Sequence, residues 1–381
     1  MNAVGPDYGF GLYIHWPYCA RICPYCDFNV YAAKDRESDP LVQAIVDDIR
    51  FHRTALPDHP ALDSVFFGGG TPSLLSAKQM ERILTAAQES FGLEADVEIS
   101  LEANPNDVLG ATLSDWALAG INRLSLGIQS LDDDALSFLG RDHNGQDART
   151  AVDLTQKHFP NHSVDLIYAR PGQTAEAWER ELSETLALGA PHLSLYELTI
   201  EERTAFGKRA ARGDLVPMGD DDQADLYDLT QEVCEAHGLS AYEVSNHART
   251  EAQQSRHNHI YWASGDWIGV GPGAHGRLTI DGGRFTTEAA KRPADYTQVQ
   301  TPDQNELSLQ DTATEFLAMA LRPTSGLDLK RFQSLFGVPI DADVLSNLAD
   351  QKLAEKVDQT LRLTQSGRLM ADYIASLLVP Y

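Results

Sequence analysis

The stretch that decides the fold runs from residue 12 to residue 26 and reads LYIHWPYCARICPYC. Its first five residues are apolar or aromatic apart from one histidine, which predicts a buried β-strand. The loop that follows carries Cys19, Cys23 and Cys26 in the spacing C-x3-C-x2-C, whereas Cys234 is far away. Three clustered cysteines with a distant fourth do not form a disulfide framework, so we expect free thiols in a reducing compartment.

This spacing predicts an iron–sulfur site. Three thiolates from one loop can each bind one iron of a cubane [4Fe–4S] cluster, which leaves the fourth iron open to a substrate or cofactor. We interpret Cys19, Cys23 and Cys26 as those ligands. A zinc site with His15 as fourth ligand and a set of buried structural cysteines remain the alternatives. Aromatic side chains around the loop would shield a cluster from water: Tyr13, Trp16, Tyr18 and Tyr25.

Five more apolar segments of strand length follow the first strand. They are rich in Val, Ile, Leu, Phe and Tyr, as strands buried on both faces are: residues 64–67, 97–101, 123–127, 164–168 and 193–198. Helical periodicity separates them, as for Leu41, Ile45 and Ile49. Six such units predict a parallel α/β sheet with right-handed crossovers, too short for a closed eight-stranded barrel but sufficient for a partial (β/α)6 barrel.

Unusual residues occur where these strands end, which is the edge at which parallel α/β folds bind ligands. The first strand runs into the cysteines and the second into GGGTP at residues 68–72. A carboxylate there can bind hydroxyls or an amine, and an arginine can pair with a carboxylate. Each of these residues alone fits a solvated or capping role, but together they predict a ligand shell. Its members would be Glu102, Gln129, Arg141 and Asp165.

After about residue 240 the pattern changes. Short alternating segments at residues 242–244, 267–270 and 278–280 predict antiparallel strands, and the polar residues 301–306 are interpreted as a linker. From residue 311 onward, helices around a strand at residues 361–364 and a turn at Gly367 predict a winged-helix-like module. We therefore divide the chain into a partial barrel with the cluster, a β-rich extension and this module: residues 1–240, 241–305 and 306–381.

Charge and hydropathy exclude several classes of function. The chain has 30 Lys and Arg against 56 Asp and Glu, a formal net charge of −26. Such a surface repels nucleic-acid phosphates and anionic lipids, so we expect no nucleic-acid partner, and we interpret the winged-helix-like module as a packing or partner module. No apolar run approaches the ~18 residues of a membrane helix. The N-terminus lacks the pattern of a secretory signal, so we expect a cytoplasmic protein without an integral membrane segment.

The cysteine loop after the first strand of a partial barrel resembles the radical S-adenosylmethionine (SAM) superfamily. Three further motifs, together with YIHWP at residues 13–17, resemble its oxygen-independent coproporphyrinogen III oxidase-like family: GGGTP at 68–72, GIQS at 127–130 and HNHIYW at 257–262. The resemblance implies that S-adenosylmethionine chelates the open iron and is cleaved to a radical by electron transfer. It implies cofactor contacts from Tyr13, Tyr25, Gly69, Gly70, Thr71, Glu102, Gln129, Arg141 and Asp165.

Two functions are compatible with this resemblance. One is a radical oxidase that decarboxylates porphyrinogen propionates in heme biosynthesis, and the other is a heme chaperone. The oxidase carries a further cysteine two residues after the third, where this sequence has Phe28. It also has a long N-terminal segment that we expect to be absent here. Both departures favour a heme chaperone without oxidase activity, which passes heme to an unidentified acceptor protein, and we assign no catalytic residue.

The segment at residues 257–262 supplies candidate heme ligands, because histidine and tyrosine both serve as axial ligands. We predict His257, with His259 and Tyr261 as alternatives. A histidine hydrogen-bonded in the core is an equally good interpretation. Heme propionates would need local positive charge in so acidic a protein, for which the candidates are Arg256, Lys208, Arg209 and Arg212.

Overall fold

The computed structural model describes residues 4–33, 38–298 and 301–380. Their strands are β1 (Phe10–Trp16), β2 (Tyr18–Cys19), β3 (Tyr31–Ala32), β4 (Leu62–Gly69), β5 (Leu93–Ala103), β6 (Arg123–Gln129), β7 (His162–Tyr168), β8 (His192–Glu197), β9 (Ser240–Ala241), β10 (Asn246–Ala248), β11 (Asp266–Val270), β12 (His275–Ile280), β13 (Gly283–Glu288), β14 (Asp303–Glu306), β15 (Leu327–Asp328), β16 (Ala354–Val357) and β17 (Thr360–Leu363).

The helices of the same ranges cover the sheet and form the C-terminal module. They are α1 (Asp39–Ala55), α2 (Ala77–Phe91), α3 (Gly110–Leu118), α4 (Asp133–Phe138), α5 (Gly145–His158), α6 (Ala175–Ala187), α7 (Ala205–Ala211), α8 (Asp220–Ala236), α9 (Arg256–Trp262), α10 (Pro293–Tyr296), α11 (Leu309–Ala320), α12 (Leu329–Phe336), α13 (Ala342–Asp350), α14 (Gln365–Arg368) and α15 (Ala371–Leu378). None of these helices is long and apolar enough to cross a membrane, and the cytoplasmic location stays a prediction.

One large mixed sheet organises the chain, in the order β14-β13-β12-β11-β1-β4-β5-β6-β7-β8-β10-β9. Its middle strands, from β11 through β8, all run parallel. The six predicted strands and the α/β class are therefore confirmed, and a seventh parallel strand, β11, joins beside β1. No pairing between the outer strands closes the sheet into a ring within the part of the chain that the structure describes.

Helix α2 shows how the sequence builds the helices that cover the sheet. The capping box of Ser76 and Gln79 starts α2, because each side chain satisfies the other residue's backbone amide. Ile83, Ala87 and Phe91 then recur at helical spacing and are buried against the sheet. Burying this stripe stabilises the helix far more than its intrinsic propensity does.

Three expectations for the segment after residue 240 are wrong. Residues 242–244 form bends between β9 and β10. Tyr242 is buried although it is not in a strand, because its side chain packs inward, with its hydroxyl 2.7 Å from His192 Nε2. Strand β11 is parallel to β1 rather than antiparallel, with Phe10 opposite Asp266. The expected linker contains β14, which pairs with β13. All four β14 residues are polar and exposed at the sheet edge, so the sequence of this strand has the composition of a linker.

The C-terminal residues have a hydrophobic core of their own, formed by α11, α12, α13 and α15 around the antiparallel sheet β15-β17-β16. This is the predicted winged-helix-like arrangement, although Gly367 lies within α14 and not in a turn. Arg277 of β12 donates two hydrogen bonds to Glu315 of α11, at 2.9 and 2.7 Å, and so fastens this module to the large sheet. The exact domain boundaries stay a prediction.

Candidate functional site

A cavity of about 600 Å³ opens at the C-terminal ends of the parallel strands. Every residue that the sequence assigned to a cluster or to S-adenosylmethionine lines it, as does His257, the preferred heme ligand, whereas His259 does not. They are Tyr13, Cys19, Cys23, Tyr25, Cys26, Gly69, Gly70, Thr71, Glu102, Gln129, Arg141, Asp165 and His257. The structure thus brings together residues from six strands, three loops and one helix, and their roles as ligands stay predictions.

The cysteine loop forms one wall of this cavity. Cys19 is buried, whereas Cys23 and Cys26 are half-buried and joined by a turn in which the Cys26 amide donates to Cys23 O at 3.2 Å. Cys234 lies in the core behind the sheet, away from the other three. Burial raises the pKa of the Cys26 thiol to about 11, with the Phe28 amide opposing it. The Cys26 thiol would therefore release a proton on binding a metal cluster.

His15, the alternative fourth ligand for a zinc ion, has hydrogen-bond partners for both ring nitrogens. His15 lies 3.0 Å from the Tyr13 hydroxyl through Nδ1 and 3.0 Å from Asn29 O through Nε2. Among the described residues, no group of three or more His, Cys, Asp and Glu side chains surrounds a single ion position. A cubane cluster binds each cysteine to a different iron, so its thiolates need not converge on one point.

The glycine loop after β4 packs directly on the cysteine loop. The Gly70 amide donates to Trp16 O at 2.7 Å, and the Thr71 amide donates to Tyr18 O at 2.9 Å. A Cβ on Gly70 would lie 2.8 Å from Tyr18 O and 3.0 Å from Cys19 Sγ. The residue must therefore be glycine because two backbones meet here. This loop fixes the position of the cysteines in addition to lining the cavity.

Arg141 joins the cysteine loop to the strand ends. Its guanidinium donates to Cys23 Sγ at 3.4 Å and to Gly127 O at 2.9 Å, and it also hydrogen-bonds Asn104. A planar donor fork can hold three such acceptors at once. Arg141 thus belongs to the wall that carries the cysteines, and its positive charge lies beside a thiol.

Two carboxyl groups face the cavity from neighbouring regions of the sheet. Glu102 accepts a hydrogen bond from the Gly69 amide at 3.1 Å, yet burial, with Asp165 nearby, raises its pKa to about 8. Asp165 accepts hydrogen bonds from Ser125 at 2.7 Å and Ser163 at 2.8 Å. Glu102 is consequently protonated at pH 7 in the free protein, and a cationic ligand beside it would favour the charged form.

Gln129 reaches the cavity through an irregular strand end. Its backbone has φ +64°, a left-handed conformation that is rare for residues other than glycine, and the pairing of β6 with β7 shifts its register here. Gly127 leaves the space, since a Cβ on it would lie 2.7 Å from Gln129 Nε2. Such strain at a site is maintained by the surrounding packing and aims the side chain at the cavity.

His257 lies in α9 and is only 1% exposed. Its Nδ1 is 2.7 Å from Ser64 Oγ, its Nε2 is 2.6 Å from the Tyr261 hydroxyl, and its ring stacks on Phe66. Burial lowers the pKa of its imidazole to about 3, so it is neutral. Axial ligation of heme by either nitrogen would require one of these hydrogen bonds to break, and the assignment stays a prediction.

The sequence missed the polar floor of the cavity. Ser100, Ser125, Ser163 and Ser194 come from four successive parallel strands and line it. Barrel interiors are normally filled by bulky branched side chains, so a small polar residue on each strand leaves an open space. The signal was present as a serine within or directly before each apolar segment, but only the sheet register shows that these serines share one side.

The candidate cations for propionates occupy two places. Arg256 pairs with Asp96 at 2.9 Å. Lys208, Arg209 and Arg212 are on or just after α7, which contacts the cysteine loop because the Phe206 amide donates to Pro24 O at 2.9 Å. The helix that carries the second group therefore contacts the cysteine loop, and the binding role of this group stays a prediction.

Comparisons with known proteins give consistent results. The sequence profile of the Radical SAM superfamily matches residues 13–184, and that of the HemN C-terminal domain matches residues 307–370. The heme chaperone HemW of Bacillus subtilis (strain 168) is 32% identical over 95% of this chain and 97% of its own. The heme chaperone HemW of Escherichia coli (strain K12) is 33% identical over 97% of both chains.

Coproporphyrinogen III oxidase (HemN) from Escherichia coli, a radical SAM enzyme, has a similar structure with a TM-score of 0.82. The match covers 99% of this chain and 91% of that chain at 21% sequence identity. At this level of identity the likeness shows the fold alone.

Proposed function

The chain belongs to the radical SAM superfamily and, within it, to the family of the heme chaperone HemW, and from this we propose that it binds heme and transfers it to an acceptor protein. The observation that carries the proposal is residue 28. The oxidase of the resembling family has a further cysteine there, whereas this chain has Phe28, whose side chain is 61% exposed at the rim of the cavity.

We propose that Cys19, Cys23 and Cys26 hold a [4Fe–4S] cluster and that S-adenosylmethionine binds in the same cavity. The residues fit both groups: three thiols share one wall with Arg141, and the carboxyl groups of Glu102 and Asp165 face the same space. When bound, the cluster would supply an electron and an open iron position for the cofactor. The protein's own part is to exclude water, orient the cofactor and hold a proton on Glu102 until a cation replaces it.

Heme binding without decarboxylation is the result that separates the two functions. We expect the purified, anaerobically reconstituted protein to bind heme at one site in an absorption titration. We expect no protoporphyrinogen from coproporphyrinogen III in the presence of a reductant and S-adenosylmethionine, because the fourth cysteine is replaced by Phe28. Transfer is checked by mixing the heme-loaded protein with apo heme proteins and following the Soret band of the acceptor.

The same sample provides the control for this experiment. Its iron content and its electron paramagnetic resonance signal show that the cluster is intact, so a lack of turnover is not a lack of cluster. Sustained formation of protoporphyrinogen would overturn the chaperone proposal. A spectrum of heme-loaded His257→Ala identical to that of the wild type would retain the chaperone and remove His257 as the ligand.

The affinity for S-adenosylmethionine should rise with pH because of Glu102. Its pKa of about 8 in the free protein means that cofactor binding, which favours the carboxylate, releases a proton below pH 8. Ionisation of Glu102 therefore increases the association constant for S-adenosylmethionine by up to about tenfold per pH unit as the pH rises toward 8. Above pH 8 this increase levels off. Calorimetric titrations between pH 6 and pH 9 measure it.

Glu102→Gln is the matched variant, because its amide oxygen can still accept from the Gly69 amide. The cofactor's own titration is common to both proteins, so the difference between their pH profiles isolates Glu102. Parallel profiles for the two proteins would show that Glu102 does not contact the cofactor.

A further inference from the structure

The rim of the cavity exposes apolar side chains beside the cysteines. Phe28 is 61% exposed and Ile22 is 46% exposed, and both line the cavity. Apolar side chains exposed at the edge of a cavity offer area that an apolar ligand can bury. Phe28 lies two residues after Cys26 and so belongs to the same loop as the cysteines.

An uncommitted cation lies next to these apolar residues. Arg21 is exposed and lines the same cavity, and no residue in the described part of the chain pairs with its guanidinium by an ion pair or hydrogen bond. In this chain, which has a formal net charge of −26, other exposed arginines pair with acidic residues, as Arg149 and Arg212 do. A free guanidinium is suited to a ligand carboxylate, which it can bind through two parallel hydrogen bonds.

We propose that heme binds at Arg21, Ile22 and Phe28, which are here called the rim. The porphyrin face packs on Ile22 and Phe28, and a propionate pairs with Arg21. This inference rests on the proposed function. A flat apolar ring with carboxylates at one edge matches the chemistry of the rim, because apolar area and a single cation lie on one short segment.

The dimensions of the cavity favour the rim over the interior for this ligand. Pockets of about 300–1,000 Å³ take one drug-sized ligand, and this cavity of about 600 Å³ carries the three cysteines and the predicted cofactor contacts. A cluster and a nucleoside-sized cofactor would occupy it. A heme on the rim also keeps an edge exposed, which direct transfer to a second protein requires, whereas His257 is 1% exposed.

Metal-free protoporphyrin IX tests the rim separately from iron ligation. We expect Phe28→Ser and Ile22→Ser each to weaken its binding by about tenfold, because each removes an apolar contact with the ring. Leu118→Ser, on α3 outside the cavity, should leave this affinity unchanged. Fluorescence titration of the reconstituted protein measures all four affinities, and Ile22→Ser covers the case in which Phe28→Ser lowers the iron content.

The charge of Arg21 is tested with the dimethyl ester of the same porphyrin. Arg21→Gln should weaken protoporphyrin IX binding by about fivefold at low salt and should not change the binding of the ester, whose propionates are neutral. Leu118→Ser, at an 86% exposed apolar residue of α3, and Arg50→Gln, on α1, are the matched controls away from the cavity.

The outcomes separate the rim from the proposed function. If the wild type binds neither heme nor protoporphyrin IX, the chaperone proposal fails and the rim fails with it. If the wild type binds heme but the porphyrin affinities of Phe28→Ser and Ile22→Ser equal that of the wild type, or if metal-free porphyrin does not bind at all, only the rim is overturned.

Discussion

Replacing Cys19, Cys23 or Cys26 by alanine should abolish the [4Fe–4S] cluster, whereas Cys234→Ala should leave the iron content unchanged. Only three thiols reach the cavity, so the loss of one leaves two attachment points for a four-iron cube. Cys234 is fully buried in the core behind the sheet, where burial raises its thiol pKa to about 12. Iron and sulfide analysis after anaerobic reconstitution measures the effect.

Zinc content is determined on the same samples, because zinc is the competing interpretation of these cysteines. An equal loss of iron in Cys234→Ala would contradict the assignment of the three loop cysteines. So would a wild type that takes up one zinc ion in place of iron and retains it in a His15-dependent manner, since the ring nitrogens of His15 would then have to leave Tyr13 and Asn29.

Gly70→Ala should remove the response of the cluster to S-adenosylmethionine and lower the iron content. The added Cβ would lie 2.8 Å from Tyr18 O, 2.9 Å from Trp16 O and 3.0 Å from Cys19 Sγ, on the backbone that leads into the cysteine loop. Overpacking of this kind typically costs about 1–3 kcal/mol, and here the backbone that must shift carries the cysteines. The measurement is the change that S-adenosylmethionine causes in the electron paramagnetic resonance spectrum of the reduced cluster.

Gly110→Ala is the matched control for this substitution. No atom lies within 4 Å of a Cβ on Gly110, which begins α3, so alanine there should leave both iron content and spectrum as in the wild type. A Gly70→Ala protein with full iron content and an unchanged cofactor response would show that the cysteine loop does not depend on this contact. A wild type whose spectrum ignores S-adenosylmethionine would contradict the cofactor proposal itself.

The parallel sheet and the places of the candidate site residues could be predicted because their signals are local. Strands buried on both faces give continuous apolar runs, and the predicted segment at residues 164–168 lies within β7. The cysteine spacing is a property of one short loop. The strand-end rule then placed Glu102 and Asp165 at one edge of the sheet, and both line the cavity.

The errors concern segments whose local pattern is ambiguous. The polar residues of β14 gave no apolar alternation because the strand lies exposed at the sheet edge. Tyr242 suggested a strand, yet its ring is buried through the contact with His192. His257 could be identified as unusual from its aromatic neighbours, but the partner of its Nδ1, Ser64, comes from β4 and could not be predicted, whereas Tyr261 lies one turn away on the same helix.

The sequence by itself determined the α/β class, the cysteine loop and the residue types of the ligand shell. Only the tertiary structure decided that Arg141 donates a hydrogen bond to Cys23 and that two backbones meet at Gly70. The same is true of the serines of four strands, which form one floor of the cavity. These facts depend on sheet register and on contacts between residues far apart in the chain. Local periodicity reports which face of an element is buried, but the partner that buries it is selected by the packing of the whole chain.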